Sequence, residues 1–170
     1  MAGTRKSEAP NTERHPHRVF SHPMAERVAA GKALRQQCPR KSHARWKMSA
    51  RQRDPIELLI ASSKHRLPHL LPIRYGRMLL SPFTFYRGAA AVMAYDLSKT
   101  PTTGVQLQVC GDCHLLNFGG FATPERKLVF DINDFDETTV ASWEWDVKRL
   151  AASFVLAARN NGFDIDDSHE

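Results

Sequence analysis

V-C-G-D-C-H-L-L-N (Val109 to Asn117) and V-F-D-I-N-D-F-D-E (Val129 to Glu137) decide how this chain is read. Each starts as an apolar run and ends in polar residues, the pattern of a strand feeding a loop. The first loop carries Asp112, His114 and Asn117, and the second carries Asp131, Asp134, Asp136 and Glu137. Two strands that end in carboxylates make a hairpin-like unit able to hold a divalent cation. Mg²⁺ and similar hard ions take carboxylate and amide oxygens and complete their shell with water or substrate phosphates.

Working outward, Val105 to Val109 alternates with Gln106 and Gln108, the period-two sign of a half-buried strand. Lys127 to Ile132 predicts a second strand. The F-G-G-F-A-T-P-E-R between them reads as loop and turn, punctuated by the glycines and Pro124. From Ser142 to Asn160 the spacing predicts a helix: Trp143, Val147, Leu150, Phe154 and Ala157/Ala158 recur at three- to four-residue steps, and Gly162 supplies the stop. Gly88 to Leu97 predicts another. Asp54 is placed as an N-cap with Pro55 at the first helical position, and Ile56, Leu59 and Ile60 carry that helix to about Lys64. A short helix is expected over Met24 to Gln37, ended by Pro39. The chain therefore divides into a disordered basic tail (1–23), a basic helical linker (24–53), a domain (54–165) and a short tail (166–170). No internal repeat occurs.

A length of 170 residues suits one domain with a tail, and an apolar fraction of 42% suffices for a core. The net charge of +6 is uneven: residues 1–53 hold 13 Lys/Arg against 3 Asp/Glu, and residues 54–170 hold 11 against 15. The basic character thus belongs to the N-terminal arm, and the candidate site lies in an acidic body. The arm lacks aromatics interleaved for base stacking, so a solvated tail is expected rather than nucleic-acid binding. No apolar run is long enough to span a membrane, and the basic N-terminus has no apolar core of a signal peptide. A cytoplasmic location follows as the expectation, with Cys38, Cys110 and Cys113 reduced.

Asp112 follows a strand and a glycine. A carboxylate at such a bend can orient or accept the proton of an attacking hydroxyl, or can cap an Asx-turn. Asn117 can offer an amide oxygen to a metal. His114 can fix the loop through hydrogen bonds or join the chemistry. Val129, Phe130, Ile132 and Phe135 interleave Asp131, Asp134 and Asp136, which implies partial burial of the acids. Buried like charges need compensation, either from a cation or from Arg87, Lys148 or Arg149. Arg74, Arg77 and Arg87 flank S-P-F-T-F-Y-R-G and are suited to a phosphate or to a structural ion pair. Asp146, near the start of the last helix, is placed to brace the first loop. C-G-D-C-H (Cys110 to His114) also fits a haem-attachment pattern. Haem attachment needs export, and a zinc site needs a second ligand pair where only the isolated Cys38 remains. Neither haem nor zinc is expected.

R-L-P-H-L-L-P-I-R-Y-G-R-M, S-P-F-T-F-Y-R-G-A-A, C-G-D-C-H-L-L-N-F-G, F-D-I-N-D-F-D-E and W-E-W-D-V-K-R-L-A-A-S together resemble the bacterial "domain of unknown function 2252" family over about residues 25–165. That family's G-D-x-H-x-x-N and D-F-D motifs are similar to those of aminoglycoside- and choline-kinase-like phosphotransferases. The resemblance implies an α/β (α+β) class: a partial protein-kinase-like domain, with helices packed on a short sheet that carries the catalytic-type loop. It implies Asp112 as catalytic base with His114 beside it, and Asn117 and Asp134 as metal ligands with Asp131 or Asp136 auxiliary. It further implies Asp146 as support, Arg87 near the cofactor, Mg²⁺ or Mn²⁺ with ATP, and a small-molecule phosphate acceptor of unspecified type. The departures are equally specific. No G-x-G-x-x-G occurs, and no Gly-rich loop with its phosphate-binding Lys lies upstream. Family members are longer and carry a Gly-rich segment and a Lys after the acidic motifs. A chain ending at Glu170 is therefore expected to be a truncated member. The alternative is a non-enzymatic module, whose acidic loops bind a metal or partner while the basic arm docks on an acidic macromolecule.

Overall fold

The computed structural model describes residues 22–47 and 52–164. Six helices precede and follow two small antiparallel sheets: α1 (Met24–Gln37), α2 (Pro55–Ser62), α3 (Leu71–Met78), α4 (Pro82–Gly88), α5 (Ala90–Leu97), β1 (Gln106–Val109), β2 (Phe118–Ala122), β3 (Leu128–Ile132), β4 (Thr139–Ser142) and α6 (Glu144–Asn160). The mixed α/β class is as expected. The disordered tail expected over 1–23 falls almost entirely outside the described residues, as does the C-terminal tail.

Local chemistry sets several boundaries. Asp54 caps α2, its carboxylate accepting from the Ile56 N–H at 2.7 Å with Pro55 following. Ser81 and Thr84 form a reciprocal capping box that starts α4, which restarts the chain after α3. At the far end, Gly162 takes φ +87°, and Phe163 N–H returns to the Ala158 carbonyl, closing α6 where the glycine predicted. Leu58 and Leu59 of α2 pack with Met78, Ala89 and Val92, and Tyr75 and Tyr95 cover them. This cluster seats the helices beneath the loops.

The sheets correct the sequence reading. β1 and β3 do not form a unit together. β1 pairs with β4, Gln106 opposite Ser142 through Val109 opposite Thr139. β3 pairs with β2, Phe118 opposite Ile132 through Ala122 opposite Leu128. The stretch expected to be loop, F-G-G-F-A, is therefore a strand. Gly119 lies opposite Asp131, where a Cβ would come within 3.0 Å of the Asn133 side chain. The glycines admit a close neighbour here rather than break the strand. The β2–β3 hairpin is thus an insertion between the paired β1 and β4, and both acidic loops emerge at one end of that pair.

α6 holds a second correction. Val147 and Phe154, expected in its core stripe, are 53% and 52% exposed, whereas Glu144, Arg149 and Ser153 are buried. Its buried face is polar. Among the described residues no helix is long and apolar enough to cross a membrane.

Candidate functional site

The loop between β1 and the 3-10 turn Leu115–Asn117 is tied to one face of α6 by three side chains. Asp146 accepts from the Cys110 and Gly111 N–H groups at 2.7 and 3.1 Å. Arg149 donates through Nε to Asp112 Oδ1 at 2.6 Å, and its Nη2 reaches the same oxygen. Ser153 accepts from Leu115 N–H at 2.9 Å and passes its own proton to the Leu150 carbonyl at 2.7 Å. Positions 146, 149 and 153 are spaced by three and four residues, so one helical face carries all three anchors. Asp146 supports the loop in the manner expected of it.

Inside the loop, the Asn117 amide nitrogen donates to the Asp112 backbone carbonyl at 2.8 Å. Asn117 is buried, and its carbonyl accepts from Asn133 N–H at 2.9 Å, joining the first loop to the second. Gly111, at φ +87°, lies directly against the Glu137 carbonyl, a second junction of the two loops. Arg149 is buried, rests 4.4 Å over the Tyr86 ring, and donates to the Tyr86 carbonyl at 2.9 Å. The Tyr86 hydroxyl returns a bond to the Arg149 carbonyl at 2.8 Å. Burial pushes that phenol up to about 12, so it stays protonated as a donor.

The acids are less enclosed than their apolar neighbours suggested. Asp131 and Asp136 are exposed and Asp134 is half-buried. Phe130 and Phe135 are 75% and 54% exposed, so they do not wall off the carboxylates. Asp131 accepts from Ile132 N–H at 2.7 Å, and Asp134 accepts from Asp136 N–H at 3.2 Å, as in an Asx-turn. Asp131, Asp134 and Asp136 do not converge on one point among the described residues. The carboxyl that does feel its neighbours is Glu137. Loss of surrounding water pushes it up first, then Asp112 and Asp134, while Arg66 at 3.7 Å opposes them. Asp112, Asp134 and Glu137 are thus the acidic focus of the two loops, although among the described residues their carboxylate oxygens do not all lie within 4.8 Å of one another. Arg87 is exposed on the wall of a neighbouring cavity and acts on His114 only through its field.

Cys110, Cys113 and Asp146 are the one group of three whose ligand atoms lie within 4.8 Å of one another among the described residues. Both Asp146 oxygens are committed to backbone N–H groups, and burial raises both thiols, Cys113 to about 12.

His114 is 3% exposed, with Nε2 3.8 Å from Asp112 Oδ2 and Nδ1 buried without a partner. Burial lowers its pKa below 6.5, with Arg149 and Arg87 adding to the effect against Asp112. A histidine kept neutral in the fold takes up a proton on unfolding, so its contribution is full above about pH 6.5 and is lost as pH falls below that value. Urea titrations over that window are expected to show stability falling by up to about 1.4 kcal/mol per pH unit, with a shallower slope in His114→Gln. Equal slopes would mean that His114 is already charged in the folded chain.

Compared with known families, residues 66–170 match the model described as an uncharacterized protein conserved in bacteria, DUF2252. The chain belongs to this family. The match starts at Arg66 and takes in α3 to α6, both sheets and both acidic loops, so every anchor of the site lies in the DUF2252 region. No curated protein and no solved structure matches the chain.

Proposed function

We propose that the DUF2252 region is a metal-dependent, kinase-like phosphotransferase unit acting on a small-molecule hydroxyl. The observation that supports this reading is the double junction of the two loops, Asn133 N–H to the Asn117 backbone carbonyl and Gly111 against the Glu137 carbonyl, which brings the loop of Asp112 and Asn117 beside the loop of Asp134 and Glu137. Asp112 Oδ1 is held by Arg149, while Oδ2 has no hydrogen bond among the described residues, His114 Nε2 being too far at 3.8 Å. Oδ2 is then the atom that orients an acceptor hydroxyl and takes its proton. The Asn117 amide oxygen and the Asp134 carboxylate are the ligands for Mg²⁺ or Mn²⁺, with Glu137 alongside. These are hard oxygen donors, and a bound cation would relieve the repulsion from Asp112 and Asp134 that adds to loss of water in raising Glu137. When bound, the ion would offset the negative charge that develops during phosphoryl transfer.

A thermal-shift titration tests this reading. Mg²⁺ or Mn²⁺ with ATP is expected to raise the melting temperature of the 170-residue chain relative to an EDTA blank, and Asp134→Asn is expected to abolish the rise. A ligand at 100 times its dissociation constant stabilises by roughly 2.7 kcal/mol, well within reach of the method. An ATP shift that ignores the metal, or one that survives in Asp134→Asn, would sink the assignment.

A further inference from the structure

A cavity of about 940 Å³ between the α2–α3 connection, α3 and α4 is lined by His65, Arg66, Arg74, Arg77 and Arg87, and no carboxylate lines it. Arg74 and Arg77 are three apart on α3 and share a face, and Arg87 closes α4, which packs on α3. Of these arginines only Arg66 has a carboxylate partner among the described residues, Glu137 at 3.7 Å. Arg74 spends Nη2 on the Gly88 carbonyl at 2.7 Å, and its Nε is buried with no partner. Arg66, Arg77 and Arg87 are exposed and Arg74 is half-buried, so four guanidinium groups share one solvent-open concavity whose summed field attracts an anion.

The position of the cavity adds to the case. A second cavity, of about 310 Å³, shares Arg66, Arg74 and Gly88 with the first and continues to Gly111 and Glu137. The arginine basin therefore opens towards the acidic loops. One carboxylate would leave most of the positive charge unmatched. A chain of two or three phosphates supplies several negative charges and presents planar pairs of oxygens to the guanidinium forks. Leu67, Leu70 and Ile73 on the same wall suit the organic body that would carry such a chain.

We propose that this arginine basin binds the di- or triphosphate group of a phosphorylated small molecule, with Arg77 and Arg87 as its main contacts. Treating that group as the phosphoryl donor rests on the phosphotransferase reading; the binding itself does not.

The test is calorimetric titration of the full chain with inorganic tripolyphosphate in EDTA. Saturable one-to-one binding is expected, weakened about tenfold or more in Arg77→Gln and in Arg87→Gln, the effect of losing one charge-assisted contact. Both side chains are exposed, so both variants should keep the parent melting temperature. Arg35→Gln, on the basic arm, should bind as the parent does. ATP without metal serves as competitor. Displacement of tripolyphosphate identifies a nucleotide-compatible basin, and binding without displacement identifies a different polyphosphate carrier; both support the proposal. Absence of binding overturns it, as does binding that Arg35→Gln weakens as much as Arg77→Gln. Because no metal is present, failure of the metal-dependent ATP shift leaves this result standing, and the reverse also holds.

Discussion

Replacing Arg149 with methionine is expected to destabilise the chain by about 3–5 kcal/mol, the usual cost of stranding one partner of a buried ion pair. The effect is large beside a total stability of roughly 5–15 kcal/mol for a typical domain. Arg149 is 2% exposed, and its guanidinium serves three groups at once: the Asp112 carboxylate, the Tyr86 carbonyl and the Tyr86 ring. Methionine fills much of the volume but leaves Asp112 with an uncompensated charge and the Tyr86 carbonyl without that donor. Arg149→Lys keeps the charge and loses the fork, so it should fall between the parent and methionine. The measurement is the urea midpoint with the slope unchanged. A double variant, Arg149→Met with Asp112→Asn, separates causes. If the stranded charge dominates, adding the second change should recover much of the loss. A loss below about 1 kcal/mol in Arg149→Met would place the pair among exposed salt bridges, and α6 would not be what holds the loop.

How much of this was legible in the sequence depends on which signal is followed. The capped start of α2, the end of α1, the glycine stop of α6 and the mixed class all come from local chemistry, which the sequence states directly: Asp54 before Pro55, Pro39 after Gln37, and Gly162 after Asn161. The sheet pairing was not legible because glycine carries two meanings. Gly119 and Gly120 look like turn residues, yet they lie in β2, where they admit the neighbouring strand and the Asn133 side chain. The face of α6 was misjudged for a related reason. The apolar repeat Val147, Leu150, Phe154 is conspicuous, whereas the face that packs on the loop is the polar repeat Asp146, Arg149, Ser153. Hydrophobic periodicity assumes that buried means apolar. A helix that anchors a polar loop must instead bury donors and acceptors, because backbone N–H groups such as those of Cys110 and Leu115 need partners. A carboxylate, a guanidinium and a hydroxyl at three- and four-residue spacing after a strand were the available sign. Asp112, His114 and Asn117 were legible from their loop. Glu137 was named with its loop but given no role of its own, because its importance arises from Gly111 lying against its backbone, a contact across 26 positions of sequence.

That contact supports the second large effect. Gly111→Ala is expected to cost at least about 3 kcal/mol, combining left-handed backbone strain of roughly 1–2 kcal/mol with a steric conflict. At φ +87° a side chain is already disfavoured, and the new Cβ would fall well inside van der Waals contact distance of the Glu137 carbonyl oxygen. The obstacle is backbone, so no rotamer change can relieve it. Gly162→Ala is the internal control. Gly162 has the same φ of +87°, but a Cβ there meets nothing within 4 Å. Its loss should be limited to the backbone strain, roughly 1–2 kcal/mol, so the difference between the two variants isolates the clash. Relief of that clash requires the Glu137 loop to move away from Asp112. The folded fraction of Gly111→Ala should therefore also lose any metal-dependent ATP shift, whereas Gly162→Ala should keep it. Equal destabilisation by the two alanines would show that the Gly111–Glu137 approach does not set the spacing of the loops, and the acidic focus would then need another source of order.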